Sequence, residues 1–436
     1  MSSENANKKI GLVGVVFTLI GFVIGASIFV LPGELYAVAG PAMLLSFLIA
    51  SIPAAGTCLI AAQIAAAFPG NGANVLATRS LISPLAGFVV AWFIIGSSIV
   101  ALALLALGFA DYLAVIAPSV GGAARPVTAI AVTLLFALIN SLGARAAVVV
   151  QSAMVIWLVL ILLLFTFIAM PNVNMSHFTP FASKGVAAIA TAVIPAFFAF
   201  LGFTLIVEVS GDVERPARTL PRALAISYVV ILFAYTGVAA GVVGILPPDR
   251  MAGNAAPVAE AAALIMPGWL AGSIAVSALL AAATSVNGVL LLVSRDLAEL
   301  GHEGIVPSWL GGKVDKAPVS SIWTVALISC GAIAVSASIT RYAVATVLGY
   351  MVAQAVIALA ALRLPPSRDL PISPSLARIA GWLTFVSAIL FFLLAGMNDA
   401  APVIAVVGYG VLGAVIYAFR GKGAVSPASA ETPKQD

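Results

Sequence analysis

Charge is what this sequence has least of. Only 8% of its 436 residues are Asp, Glu, Lys or Arg, against 62% hydrophobic ones, where a soluble domain carries about 25% charged residues. So apolar a core has too little polar surface to face water. That excludes a soluble enzyme, a disordered chain, a coiled coil and, despite a net charge of +4, a nucleic-acid-binding domain. Cysteine is nearly absent, and both Cys58 and Cys330 lie inside apolar runs, so a disulfide framework is excluded too. The two histidines, His177 and His302, fall in predicted loops on opposite sides of a membrane and make neither a metal site nor a nucleophilic triad. No glycine-rich turn follows a strand and opens a helix, so no nucleotide-driven engine is visible. No cofactor is expected, and no clustered His, Asp or Cys marks an enzyme. What remains is an all-α integral membrane protein.

A helix needs about 20 mostly apolar residues to cross a hydrocarbon core of about 30 Å. Twelve segments meet that need: 10–31, 41–67, 84–116, 127–142, 147–170, 186–210, 222–246, 269–298, 319–338, 342–362, 378–396 and 402–419. Turn-forming sequences separate them, such as PGNGAN at 69–74 and PSVGGAARP at 118–126. The first apolar stretch is too long for a cleaved signal and is expected to remain as the first span. With the N-terminus inside, four of the 20 Lys and Arg face outward, namely Arg125, Lys184, Arg250 and Arg341, and all the others face inward. That bias predicts a multi-pass protein of the cell's inner (plasma) membrane with both termini cytoplasmic.

Two spans carry interruptions. The first holds Gly21, Gly25, Ala26 and Ser27 near its middle, and the sixth holds Pro195 before Gly202 and Thr204. Pro and Gly there free backbone groups that lipid cannot satisfy, so such breaks belong where they line a protein cavity. The alternative for the first span alone is close helix contact through small residues. The sixth span follows the first by an odd number of crossings, so the units they open are inverted. Interrupted first helices in two inverted units are the layout of many secondary transporters. Depth agrees: Phe198 lies midway between Lys184 and Asp212, and Gly25 to Ser27 lie roughly 24–27 Å of helix beyond Lys9.

Motifs in these spans and after them resemble those of the amino acid–polyamine–organocation (APC) superfamily of transporters. Its first-helix signature appears as Gly25-Ala26-Ser27-Ile28-Phe29, and its sixth-helix signature as Phe198 through Gly202 and Phe203, with Thr204 where an acid often stands. Arg215 to Ala223 resembles a loop motif of the family, and residues 286–307 its eighth helix and the loop after it. The resemblance implies a LeuT-like fold of 12 transmembrane helices, a 5+5 inverted repeat with helices 1 and 6 interrupted. The expected organisation is a tail at 1–9, repeats at 10–170 and 186–363, two further helices at 378–419 and a tail at 420–436.

An interrupted helix offers a ligand free N–H groups after the break and free carbonyls before it. A zwitterionic amino acid suits that backbone without any charged side chain. The resemblance implies that Ala26, Ser27 and Ile28 take the carboxylate, and that the carbonyls of Ile24, Phe198 and Leu201 take the amine, with Gly25 and Gly202 leaving room. Ser27 departs from the family's usual Gly and either meets the ligand or bonds its own helix. Phe198 and Phe200 are each either core packing or substrate contact, Phe198 standing at the family's gate position.

Thr204 removes the carboxylate that a second positive charge would need, so a small neutral amino acid is expected as substrate. A polyamine or other organic amine is the alternative. Glu208, the one acid well inside a span, is a proton site, part of an inner gate, or a partner of Arg79 or Arg295. Thr284 and Ser285 sit at mid-membrane depth, where their hydroxyls either coordinate Na⁺ or bond their own helix. Many proton-linked relatives carry a Lys in the fifth helix at the position of Leu158 here, and the run from Ala146 to Met170 holds no ionisable residue. The coupling ion is therefore Na⁺, H⁺ or none, with the last, giving exchange or facilitated movement, favoured. The bilayer and the small-molecule substrate are the expected partners, with the chain a monomer or dimer.

Overall fold

A computed structural model describes residues 9–68, 72–142, 147–203, 213–312, 317–336, 338–365 and 370–421, without the side chains of 22, 147–155 and 421. Among these residues no strand forms. A single parallel bridge joins Ile10 to Val213.

Helices follow the predicted segments. The first segment divides into α1 (Leu12–Val23) and α2 (Ser27–Ala39). Then come α3 (Met43–Ala67), a short α4 (Ala73–Leu81), α5 (Pro84–Ile116), α6 (Arg125–Leu142), α7 (Ala147–Ala169) and α8 (Gly185–Phe198). The second half has α9 (Pro216–Ile245), the single turn α10 (Pro248–Met251), α11 (Pro257–Ile265), α12 (Gly268–His302), α13 (Val319–Val335) and α14 (Ile339–Leu362), with α15 (Pro374–Asn398) and α16 (Ala400–Ile416) last. Nine helical stretches among the described residues are long and apolar enough to cross a membrane, and Leu12–Gly21, Ile156–Asn172 and Val319–Val335 are shorter apolar helices. The stretch from Ser27 to Ala67 bends at Gly40, whose φ of 61° admits the turn between α2 and α3.

The broken helices lie at the centre. α2 packs on α8, α1 on α9 and α7, and α8 on α3 and α14, while α5 lies between α12 and α14. Most of α2 is buried, and α16 keeps only Pro402, Val406 and Gly413 buried. α16 is fastened to α5 by a reciprocal pair: Trp92 Nε1 donates to the Tyr409 carbonyl, and the Tyr409 hydroxyl donates to the Trp92 carbonyl, both at 3.0 Å. Asp399 accepts the Ala401 N–H at 3.0 Å and pairs with Arg341 at 2.7 Å. These bonds, the Ala401 N–H first, hold its carboxyl below the usual carboxylate range.

Between apolar helices in lipid there is no hydrophobic gain to bring them together, so close contact through small residues decides the packing. The α7–α9 seam shows this. A Cβ added at Gly237, Gly241 or Gly244 would come within 2.6 Å of Thr166, 2.8 Å of Ala169 or 2.7 Å of Val173. The three share one face of α9. Gly241→Leu should therefore cost about 1–3 kcal/mol of overpacking and lower the melting temperature of the purified protein in detergent. Gly272→Leu, at a site with nothing within 4 Å, should leave it unchanged.

Candidate functional site

Helix 1 breaks because its hydrogen-bond ladder stops. The last rung is Ile24 N–H to the Ile20 carbonyl at 2.8 Å, and the next begins with Phe29 and Val30 donating to Ala26. Between them, the N–H groups of Gly25, Ala26, Ser27 and Ile28 and the carbonyls of Ile24 and Gly25 have no backbone partner among the described residues. α8 ends at Phe198, and a tight turn and a short 3₁₀ segment, 201–203, follow. The Phe198 carbonyl likewise has no backbone partner among the described residues. Such groups are costly in a membrane interior unless a ligand, water or a side chain meets them.

One side chain from α9 meets both breaks. The fully buried Tyr235 donates its hydroxyl to the Val23 carbonyl at 2.7 Å, with the Ala199 carbonyl 3.1 Å away. The Ser27 hydroxyl lies 3.4 Å from the same oxygen. Ser27 thus bonds across the bundle rather than into its own helix. The ring of Phe200 packs edge-on against Tyr235 at 5.5 Å, which makes Phe200 part of the packing.

A cavity of about 120 Å³ opens at this junction. Of the residues singled out in the sequence, Gly25, Ala26, Ser27, Phe198, Leu201, Gly202, Thr284 and Ser285 line it. Ile24 and Ile28 are fully buried beside it, offering backbone only. Thr204 and Glu208 lie outside the described residues. Arg79, one of the partners proposed for Glu208, pairs with Glu303 at 2.8 Å. Gly25 is needed for space, since a Cβ there would stand 2.5 Å from Ser285 Oγ. No Asp, Glu, Lys or Arg is among the described residues lining the cavity.

The opposite wall was not legible in the sequence. It brings Ser97 and Ser98 from α5 together with Thr346 and Tyr350 from α14. Tyr235 was missed as well, although a tyrosine in mid-span must find a partner for its hydroxyl, and that signal was available.

Behind the first break is a second, enclosed space bounded by Gly21, Gly25, Trp157, Leu158, Ala281 and Thr284. The Thr284 hydroxyl donates to the Leu280 and Ala281 carbonyls at 2.9 and 3.0 Å, and that of Ser285 to Ala281 at 2.8 Å. Both hydroxyl protons are therefore satisfied inside α12. Leu158 is buried and puts a methyl-tipped side chain against this space.

Beyond the first break, α2 is tied to the connection after α9. Gly253 N–H donates to the Gly33 carbonyl at 3.0 Å, and Gly33 is so close to the Asn254 carbonyl that no Cβ fits. Thr340 donates to Glu34 at 2.6 Å, and Arg125 pairs with Asp111 at 2.5 Å. Near the N-terminal end of α1, Glu214 N–H donates to the Ile10 carbonyl at 2.9 Å.

A model of the amino acid permease family matches residues 10–420. The branched-chain amino acid permease BcaP of Bacillus subtilis is 26% identical over 340 residues, 73% of each chain. The methylthioribose transporter of the same organism is 27% identical over 358 residues, 76% of each chain. The crystal structure of MhsT in complex with L-phenylalanine matches with a TM-score of 0.64 over 90% of this chain and 100% of that one. At 13% identity that likeness concerns the fold, which is the LeuT-like one.

Tyr235→Phe should release the Val23 carbonyl and the Ser27 hydroxyl, at about 1–3 kcal/mol for each buried group left unpaired. Faster amide hydrogen exchange is expected at 24–28 and 199–203, with exchange in α5 and α14 unchanged. Unchanged exchange at both breaks would show that Tyr235 does not hold them.

Proposed function

Because the chain belongs to the amino acid permease family, a family of transporters and not enzymes, we propose that it is a secondary transporter of small neutral amino acids. It is a multi-pass membrane protein whose homologues include amino acid permeases. In this reading the carboxylate is bound by the free N–H groups of Ala26, Ser27 and Ile28, and the amine by the carbonyls of Ile24, Phe198 and Leu201. The observation that carries it is the pair of unpartnered backbone ends bounding a cavity in which no described residue is charged. A zwitterion supplies both signs of charge itself, and the positive end of α2 favours its carboxylate. A polyamine would need a facing carboxylate, and no described lining residue carries one, which favours the amino acid.

The two breaks also give the motion its joints. α1 and α2 turn about residues 24–26, and α8 turns about 199–203 against the Tyr235 tie. Opening towards the other side requires the Gly33–Gly253 contact at the far end of α2 to part. By the distribution of Lys and Arg, that end faces outward and the chain's termini face the cytoplasm of a plasma-membrane protein. The repeats are then 10–170 and 186–363. Leu158 fills the place where related proton-linked carriers have a lysine, so the fifth helix offers no proton device. We read the transport as exchange without a coupling ion, the case that asks for no further site.

Reconstituted protein should show counterflow of labelled neutral amino acids with no ion gradient imposed. An imposed Na⁺ or H⁺ gradient should add little accumulation. Strong concentrative uptake driven by either gradient would refute the uncoupled reading. Gly25→Leu, which drives a side chain into Ser285, should abolish counterflow while the protein still elutes as a folded species in detergent. Retained counterflow in that variant would refute the placement of the ligand at the first break.

A further inference from the structure

Serine and threonine in lipid-embedded helices normally return their hydroxyl proton to a carbonyl three or four residues earlier. This chain follows that habit at many positions, among them Thr133, Thr166, Thr236, Ser277 and Thr284. On the wall opposite the breaks it does not. Ser97 Oγ on α5 and Thr346 Oγ1 on α14 are buried with no hydrogen-bond partner. Ser97 is 5% exposed and Thr346 2%. Ser98, half-buried, lines the same cavity beside them. All three line the cavity that holds Gly25, Ser27 and Phe198. The other two unpartnered hydroxyls, those of Ser329 and Thr384, line no part of it.

The position of Ser97 is constrained from behind. A Cβ on Gly349 would fall 2.5 Å from Ser97 Oγ, so the glycine is what lets this hydroxyl stand between α5 and α14. Unpaired hydroxyls in such a place cost free energy, and they gather at the wall facing the backbone groups that take the zwitterion.

We propose that Ser97, Ser98 and Thr346 form the side-chain end of the site and select an amino acid that carries a hydroxyl, serine or threonine, over an aliphatic one of equal size. This rests on the amino acid reading of the cavity and narrows it. The discrimination follows from asymmetry. A ligand hydroxyl donates to one of these oxygens and accepts from another, pairing two of the three. A methyl group in the same place offers no partner, and Ser97 and Thr346 stay as unpaired as they are without a ligand. Sites that hydrogen-bond a substrate hydroxyl reject the analogue lacking it far better than apolar pockets reject an extra methylene.

Threonine and valine have nearly the same shape, so their comparison isolates the hydroxyl. Calorimetric titration of the purified full-length protein with L-threonine, L-serine, L-valine and L-alanine should show threonine bound roughly ten- to a hundredfold more tightly than valine. Thr346→Val and Ser97→Ala should each pull that ratio towards one, with melting temperatures close to that of the parent protein. Thr346→Ser, which keeps the hydroxyl, should preserve the preference. Valine bound as tightly as threonine, or a ratio unmoved in both variants, overturns the hydroxyl selection while leaving a neutral amino acid site intact. Binding of none of the four overturns that reading too, and this inference with it.

Discussion

A backbone hydrogen bond left unmade in the middle of a lipid bilayer has no water to turn to, and this protein leaves several unmade in two places. The N–H groups from Gly25 to Ile28 and the carbonyls of Ile24, Gly25 and Phe198, at the centre of the bundle, have no backbone partner among the described residues. Each costs free energy comparable to a lost hydrogen bond. The rest of the architecture can be understood as what makes that tolerable. Helices α3, α5, α9, α12 and α14 surround the breaks and keep lipid away. Tyr235 binds one break to the other through the Val23 and Ala199 carbonyls. Gly25 lets the first break lie against Ser285 without a side chain between them. In the proposed reading a ligand meets what is still unsatisfied, which is how a structural cost would become a binding site.

That site has two chemically different halves. The broken helices present charge-seeking backbone groups, which are the same whatever side chain the substrate carries. The α5–α14 wall presents hydroxyls, which sense only the side chain. Dividing recognition this way lets one scaffold serve many substrates, because the backbone half stays constant while the wall varies. It is also consistent with relatives that share the family but are named for branched-chain amino acids and for methylthioribose.

Much of this was legible before any coordinates. Local signals did the work: long apolar runs marked the spans, and Gly21, Gly25, Pro195 and Gly202 marked the breaks, because these residues act on their own backbone. Contacts between distant segments were not legible. Tyr235 meets Ser27 across 208 positions of sequence, and no periodicity announces such a pairing. Ser97 and Thr346 looked like ordinary hydroxyls within apolar helices, where the usual fate is a bond to the same helix. Only their neighbours show that they departed from it. The short helices α4, α10 and α11 went unpredicted because they lie in connections between spans, and the docking of Asn254 on Gly33 with them.

The central claim is that the two breaks bind both charged groups of a zwitterion at once. Competition in a counterflow assay tests it most directly, with L-serine, serinamide and 3-hydroxypropionate as competitors. The first carries both charges, the second lacks the carboxylate and the third lacks the amine. The account predicts that only L-serine competes, because each of the others leaves one set of backbone groups unpaired. Competition by serinamide as strong as that by L-serine would mean that the amine alone is recognised, and it would contradict the assignment of the N–H groups after the first break to a carboxylate.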